Sequence, residues 1–415
     1  MSDSNQSTTL KKIVILGGSY GGISTAHYLL QHVVSDLPEK ESYQVVLISP
    51  SSQTMCRPAC PRAMISEDLF PQDRLFVDIS NLFTQYSEGF RFIKGTAINL
   101  DHPNRVVEIS LHTGTTEKIE FHLLVMATGA STVSPLLGFT KDEEHLRSSW
   151  AEFRKALPNA KSIVIAGGGP AGIETAGELG EHFNGRAGWF RSKLENPKVP
   201  ITVVTSGPEI LPVLRTSIAR KAEYLLGKVG VTVVKNTRVE QVIPNTAGAE
   251  TGLMTDVKVS LSDGQTLEAD IYIPAIGTKP NTGYVDKNLL NSDGRVSTNP
   301  STLRVEKAGP RIYAVGDVSS AARPAIHILF EEIPVLCANI KRDLRLAAGE
   351  DEHTAGEDKL FKEDTREAQL VPIGRGMGVG ALMGYEIPGF LVWLIKGRDY
   401  WLWTTGRLWS GRHWA

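Results

Sequence analysis

The sequence predicts an α/β fold built from two doubly wound parallel-sheet units, the second inserted in the first, with a C-terminal segment added. Three observations predict it. A β-branched apolar run, "KIVIL" (12–16), ends in the Gly-rich turn "GGSYGG", enters a helical stretch over 22–34 and is followed by a buried run, "YQVVLIS" (43–49). The same order returns over 162–205 as "SIVIA", "GGGPAG", "IETAGELGEHF" and "ITVVT". Further apolar runs leave through glycine, at "HLLVMATGA" (122–130), "DIYIPAIGTKPN" (270–281) and "RIYAVGDVSS" (311–320). One G-x-G-x-x-G is a weak signal. Two complete strand–turn–helix–strand units in one chain are a strong signal for Rossmann-like, dinucleotide-binding domains.

The first copy opens the chain, and the third apolar exit lies beyond the second copy. The expected division is therefore 1–155 with 282–345 as one discontinuous unit and 156–281 inserted into it. Residues 346–369 are charged and polar, a linker or surface excursion. A compact segment, 370–415, follows and carries five of the seven tryptophans: Trp393, Trp401, Trp403, Trp409 and Trp414.

Composition excludes several classes. With 415 residues and 41% hydrophobic content the chain can bury a core, and disorder is not expected for the bulk. A formal charge of -2 and a pI near 6.6 give no field for nucleic acid. Three cysteines, Cys56, Cys60 and Cys337, fit a reducing compartment better than a disulfide framework. The start, "MSDSNQSTTLKK", has no apolar stretch of a signal peptide and no Gly after Met1 for myristoylation. No apolar run approaches the ~20 residues that span a bilayer. A cytoplasmic chain, with or without peripheral membrane contact, is expected. No metal-ligand pattern stands out, and the sequence leaves the oligomeric state open.

A Gly-rich turn between strand and helix lets backbone N–H groups and the helix dipole meet a pyrophosphate. In the first copy Gly17 fits the tight turn and Gly22 the close helix–strand contact, while Ser19 replaces the middle glycine of the pattern. Strand 43–49 ends on Ser49, where Asp or Glu usually meets a ribose. The second copy matches fully, with Gly167, Gly169 and Gly172. After "ITVVT" come Ser206 and Gly207, so no acidic residue repels a 2′-phosphate there, and Arg215 lies just beyond. Ala127-Thr128-Gly129, Gly277 and Gly316-Asp317 mark strand exits close to a bound dinucleotide. Asp317 reads as an acceptor for ligand hydroxyls and also as a helix N-cap, two compatible roles.

The ordered set "GGSYGG", "ATG", "GGGPAGIETAGEL", "AIGTKPN" and "YAVGD" resembles the two-dinucleotide-binding-domain flavoproteins. "CPRAMI" (60–65) and "IPGFLVWLIKGRDYW" (387–401) are similar to their apoptosis-inducing-factor-like branch, which includes fungal homologues and ferroptosis suppressor proteins; type II NADH dehydrogenases are cousins. The resemblance implies non-covalent FAD, NAD(P)H as co-substrate and an FAD-dependent NAD(P)H oxidoreductase serving a quinone-like acceptor. It implies that Gly18, Ser19, Tyr20, Gly21 and Gly22 line the FAD pyrophosphate and that Arg62 lies along the FAD. Backbone groups near Ala97 would meet the adenine, and Asp317 would hold the ribityl chain. It places Glu174 near the flavin and nicotinamide rings, where a carboxylate orients the cofactor or relays a proton. The other reading of Glu174 is a first-turn Glu favoured by the helix dipole; Glu178, one turn on, serves structure.

Two further readings stay open. Cys56 and Cys60 lie in a C-x3-C pattern interrupted by Pro58, unlike the C-x4-C of flavin disulfide reductases, and are expected to be dispensable. "FLVWLI" followed by "KGRDYWLW" is either an interfacial membrane segment over 388–415 or an apolar piece closing the core. A redox-sensing interaction protein, or a reductase of a protein or thiol, is the alternative to a quinone reductase.

Overall fold

The computed structural model describes residues 10–86, 88–249 and 256–415. The N-terminal residues 1–9, on which the signal-peptide expectation rests, lie outside the described residues. A seven-stranded sheet runs in the order Ile312–Ala314, Leu123–Met126, Lys11–Leu16, Tyr43–Ser49, Phe90–Asp101, Val106–Leu111, Thr116–Glu120. Its first five strands are parallel and the last two pairings antiparallel. A second sheet, all parallel, runs Val231–Val234, Ile201–Val204, Ile163–Ala166, Ile271–Pro274.

The Lys11–Leu16 strand is apolar along its length because both of its faces are covered. Ile13 and Ile15 belong to one core, with Ile23, Leu29 and the long helix Ile326–Ala347. Val14 and Leu16 belong to another, with Val107 and Ile109. The alternation is the two-residue period of a strand, and burial on both faces is what a parallel sheet requires. The second sheet repeats this: Ile163 and Ile165 face the helix Pro170–Asn184, while Val164 and Ala166 face a small antiparallel sheet.

Each Gly-rich turn places its first glycine where only glycine fits. Gly17 has φ +120° and Gly167 φ +127°. A Cβ on Gly17 would stand 2.1 Å from the Ala127 carbonyl oxygen, and one on Gly167 2.4 Å from that of Ala275. Both turns feed directly into helices, Tyr20–His32 and Pro170–Asn184.

The polar stretch after residue 346 is tied down. Arg304 bridges Asp343 and Asp358 at 2.7 Å each, and Phe361 is buried in the core of the first sheet. The C-terminal segment forms an antiparallel sheet, Gln369–Pro372 with Gly378–Leu382 and Tyr385–Glu386, followed by short helices. Val371, Ile373 and Tyr400 share a core with helix Pro170–Asn184, whereas Trp409 shares one with helix Tyr20–His32. His27 holds the Trp409 carbonyl at 2.7 Å and His32 that of Trp414 at 2.6 Å. This segment therefore closes the core against both helices, and a truncation before it removes buried structure.

Candidate active site

A cavity of about 1590 Å³ runs between the two sheets. That exceeds the roughly 300–1,000 Å³ of a pocket for one small ligand. Gly17, Gly18, Ser19, Tyr20 and Gly21 line it from the first turn, and Gly169, Pro170 and Ala171 from the second. Ser49, Ala97, Ala127, Thr128, Gly129, Gly277, Gly316 and Asp317 also line it. Gly22, Gly167 and Gly172 do not; they make the close contacts beneath the turns, where a Cβ on Gly22 would lie 1.7 Å from the Gly17 oxygen and one on Gly172 2.1 Å from the Gly167 oxygen.

The fit to dinucleotides can be tested at the middle position of each turn. A Cβ on Gly169 would meet nothing within 4 Å, so this position faces open cavity. Ser19, its counterpart, also lines the cavity. Both turns thus leave their backbone free toward the space in front of a helix N-terminus, the arrangement that binds a pyrophosphate. The two strand exits between the turns are pinned together. Thr128 Oγ1 donates to the Asn281 carbonyl at 2.8 Å, and Asn281 Nδ2 donates to the Thr128 carbonyl at 2.9 Å. Asp317 sits in a short 3₁₀ turn with its carboxylate 3.9 Å from Arg57. Ala325, not Asp317, occupies the N-cap of the long helix, so the capping reading of Asp317 does not hold. Behind it, the buried Glu332 accepts the Gly316 N–H at 3.1 Å, and burial pushes its carboxyl up to about 7.

Arg62 requires a correction. It does not reach the cavity and is only 5% exposed. Its guanidinium clamps Glu178 through two bonds of 3.0 and 2.8 Å, lies 4.8 Å from the Tyr400 ring centre and donates to the Arg398 carbonyl. Pro61 and the helical turn Cys60–Ala63 aim it inward, toward the Glu178 carboxylate that neutralises it there. Arg57, five residues earlier, is the arginine that lines the cavity; it donates to the Ala130 carbonyl at 3.1 Å.

Glu174 does reach the cavity, and it is paired. Lys396 Nζ lies 2.5 Å from Glu174 Oε1 and donates to the Leu370 carbonyl at 3.0 Å. Both residues line the cavity while being at most 6% exposed. Burial pushes the Glu174 carboxyl up to about 7 against the pull of the Lys396 ammonium. Trp401, whose ring centre is 5.0 Å from that ammonium, lines the same region. Nothing local in the sequence marks Lys396 and Trp401 as site residues, because the "KGRDYW" run reads as locally basic and interfacial. Their spatial partner lies 222 residues away.

Cys56, Cys60 and Cys337 are free and buried. Burial pushes Cys56 and Cys60 up to about 12, and only Cys60 of that pair touches the cavity. Arg215 is engaged elsewhere, with Nε 2.8 Å from Glu367.

Comparison with known proteins agrees with this geometry. The chain matches the pyridine nucleotide-disulphide oxidoreductase family over residues 11–338. It belongs to that family. It is 62% identical over 409 residues to oxidoreductase phnG of Penicillium herquei, covering 98% of each chain. It is 26% identical to mouse ferroptosis suppressor protein 1, over 93% of this chain and 92% of that one. Among solved structures, the sulfide:quinone oxidoreductase of Aquifex aeolicus shares the fold at a TM-score of 0.68 and 18% identity, covering 97% of this chain and 92% of that chain. NDH2 of Plasmodium falciparum does so at 0.65 and 15%, covering 97% and 96%. The protein is an NAD(P)H-dependent flavoprotein oxidoreductase that binds FAD and NAD(P)H.

Proposed function

We propose that this chain passes reducing equivalents from NAD(P)H through FAD to a quinone-like acceptor, with Glu174 and Lys396 handling the proton. The observation that carries the reading is the buried Glu174–Lys396 pair in the wall of a cavity shared by both Gly-rich turns. The first turn, with Ser49, Ala97 and Asp317, holds the FAD; the second, Gly167 to Gly172, holds the coenzyme. When bound, the flavin supplies the two-electron chemistry, accepting hydride from the nicotinamide and passing electrons on. Reduction of a quinone to its hydroquinone also consumes protons. A carboxyl that titrates near neutrality is suited to deliver one in water-poor surroundings. The Lys396 ammonium stabilises negative charge developing on the acceptor oxygen, and the Leu370 carbonyl fixes its position.

A protein of the same fold supports this reading: the Aquifex aeolicus sulfide:quinone oxidoreductase is named for a quinone. Contact with a lipid surface fits too, through a part of the C-terminal segment that stays outside the core. Phe390 is 67% exposed, and Leu394 and Trp403 are also exposed, with Arg398 and Arg407 nearby in sequence. Aromatic and aliphatic side chains beside arginines are the composition of a membrane-interface element.

The test is an anaerobic reduction of the FAD-loaded protein with NAD(P)H, followed by a short-chain quinone. Rapid reoxidation of the flavin is expected. A flavin that NAD(P)H reduces but that quinones leave reduced would exclude the quinone reading and favour a redox-sensing role. For the lipid contact, the Phe390→Ser/Leu394→Ser variant should lose vesicle sedimentation and keep turnover with the soluble quinone; unchanged sedimentation would refute it.

A further inference from the structure

The exit of strand Ile201–Val204 is where an open parallel sheet reads the adenosine ribose. Thr205, Ser206 and Gly207 offer no carboxylate there. The neighbouring strand, Val231–Val234, leaves the sheet against this same exit. Thr205 N–H donates to the Val234 carbonyl at 2.8 Å, and Asn236 N–H to the Gly207 carbonyl at 3.0 Å. Lys235 lies between those two tethered residues and so stands beside the ribose position.

Lys235 is already engaged. Its Nζ lies 3.2 Å from Glu209 Oε2 and 2.9 Å from Glu223 Oε1. Arg220 approaches the other oxygen of Glu209 at 4.0 Å. The side chains of Lys235 and Glu209 keep 29% and 25% of their surface open, so a ligand can still reach them. The group carries two cations and two carboxylates. Arg215, the first cation after the strand exit in sequence, is held by Glu367 instead.

The two coenzymes ask opposite things of this spot. A ribose 2′-hydroxyl donates to a carboxylate. A 2′-phosphate carries ~1.5 to 2 negative charges, needs a cation and is repelled by a carboxylate. We infer that Glu209 and Lys235 together set the choice between NADH and NADPH: Glu209 serves the hydroxyl and restrains Lys235, and Lys235 serves the phosphate. This rests on the reading that the second sheet holds the coenzyme. It assigns the acidic function to the residue five past the end of strand Ile201–Val204 and the basic function to the residue that follows the next strand.

The experiment measures Kd for NAD+ and NADP+ on the FAD-loaded, full-length protein by calorimetry, with kcat/KM for NADH and NADPH alongside. The wild type should bind both within about tenfold, since each half of the pair offsets the other. Glu209→Gln removes the carboxylate that repels a 2′-phosphate and one of the two that hold Lys235, leaving Glu223, and should shift the Kd ratio about tenfold toward NADP+. Lys235→Met should shift it about tenfold toward NAD+, and Lys235→Arg should leave it near the wild-type value. Ratios that stay within about twofold of wild type in both Glu209→Gln and Lys235→Met, or that move the same way, overturn the inference. If neither dinucleotide binds the wild type, the placement of the coenzyme fails, and that outcome is seen before any variant is made.

Discussion

Helix Pro170–Asn184 carries two buried carboxylates one turn apart, and each has its own cation. Glu174 faces Lys396 at the cavity wall; Glu178 faces Arg62 in the packed interior. Both are about 3% exposed, so burial alone does not separate them. Their partners do. Arg62 presents a planar fork that meets both oxygens of Glu178, a geometry that fixes position. Tyr400 adds a third bond to Glu178 at 2.9 Å. Lys396 meets one oxygen of Glu174 with a single ammonium, and Glu174 is left with a carboxyl pushed up to about 7. A group clamped from three sides holds structure. A group with one partner, a titration near neutrality and a cavity in front of it can exchange a proton.

The largest effect should come from breaking the clamped pair. Arg62→Met leaves Glu178 charged and buried with only Tyr400 as donor, and removal of one member of a buried pair costs about 3–5 kcal/mol. That is a large share of a typical ~5–15 kcal/mol stability. A marked drop in Tm and in flavin content is expected. Turnover per bound flavin should stay near wild type, because Arg62 does not line the cavity. A variant with normal Tm but poor turnover would reverse the roles assigned to the two pairs.

Glu174→Gln should do the opposite. Gln keeps an oxygen for Lys396 and little stability is lost. Loss of a positioned proton donor typically costs about 10²–10⁴-fold, so quinone reduction should fall by roughly 10²-fold while stopped-flow reduction of the flavin by NAD(P)H stays within a few-fold. Equal losses in both half-reactions would mean that Glu174 only positions the coenzyme.

A smaller effect separates the pairs by pH. In the folded chain the proton of Glu174 is held to about pH 7, above the ordinary carboxyl range. A carboxyl raised in this way stabilises the fold in its protonated form. That contribution is complete below the ordinary carboxyl range and is lost as pH rises through about 7. Glu332 behaves alike, being raised to about 7 by burial. Wild-type Tm should therefore decline between pH 5 and 8 more steeply than that of Glu174→Gln. Quinone turnover should decline over the same interval as the proton-bearing form disappears. Parallel Tm profiles for the two proteins would contradict the assignment.

Much of this was legible in the chain because it is local. The turns at Gly17 and Gly167 are written in contiguous residues, and the strands they follow are buried on both faces and so uniformly apolar. Gly17, Gly18, Gly21, Gly129, Gly169, Gly277 and Gly316 line the cavity with Ser49, Ala97 and Asp317, while Gly22, Gly167 and Gly172 make the close contacts beneath the turns. What escaped was partnership across long sequence distances. "PRA" marks Arg62 by type, yet nothing local says whether it points to a ligand or to Glu178, 116 residues away. Lys396 and Trp401 sit in an apolar, basic run whose composition suits a membrane interface equally well. Only the packing of strand Gln369–Pro372 beside helix Pro170–Asn184 carries that run to the cavity, while Phe390 and Leu394 remain outside.

The smallest effect concerns the cysteines, next to Arg62 in sequence and beside the same cavity. A dithiol that relays electrons needs a thiolate at neutral pH and both sulfurs within reach of the donor. Here burial holds both thiols near 12. Cys56 Sγ points away, donating to the Tyr400 carbonyl at 3.3 Å and receiving a weak bond from Tyr20 at 3.7 Å. Cys60 alone meets the cavity. Both belong to the core that also holds Ala59, Ala63 and Tyr400, so alanine is a suitable replacement and avoids burying a hydroxyl. Cys56→Ala/Cys60→Ala should keep NAD(P)H-dependent quinone reduction within about threefold, with normal flavin content. The double variant should also show the same flavin absorbance on reduction as the wild type, since no thiolate stands ready to form a charge-transfer band. Collapse of the reductive half-reaction in a folded, flavin-loaded double variant would move the chemistry from the Glu174–Lys396 pair to the thiols and make the acceptor a disulfide.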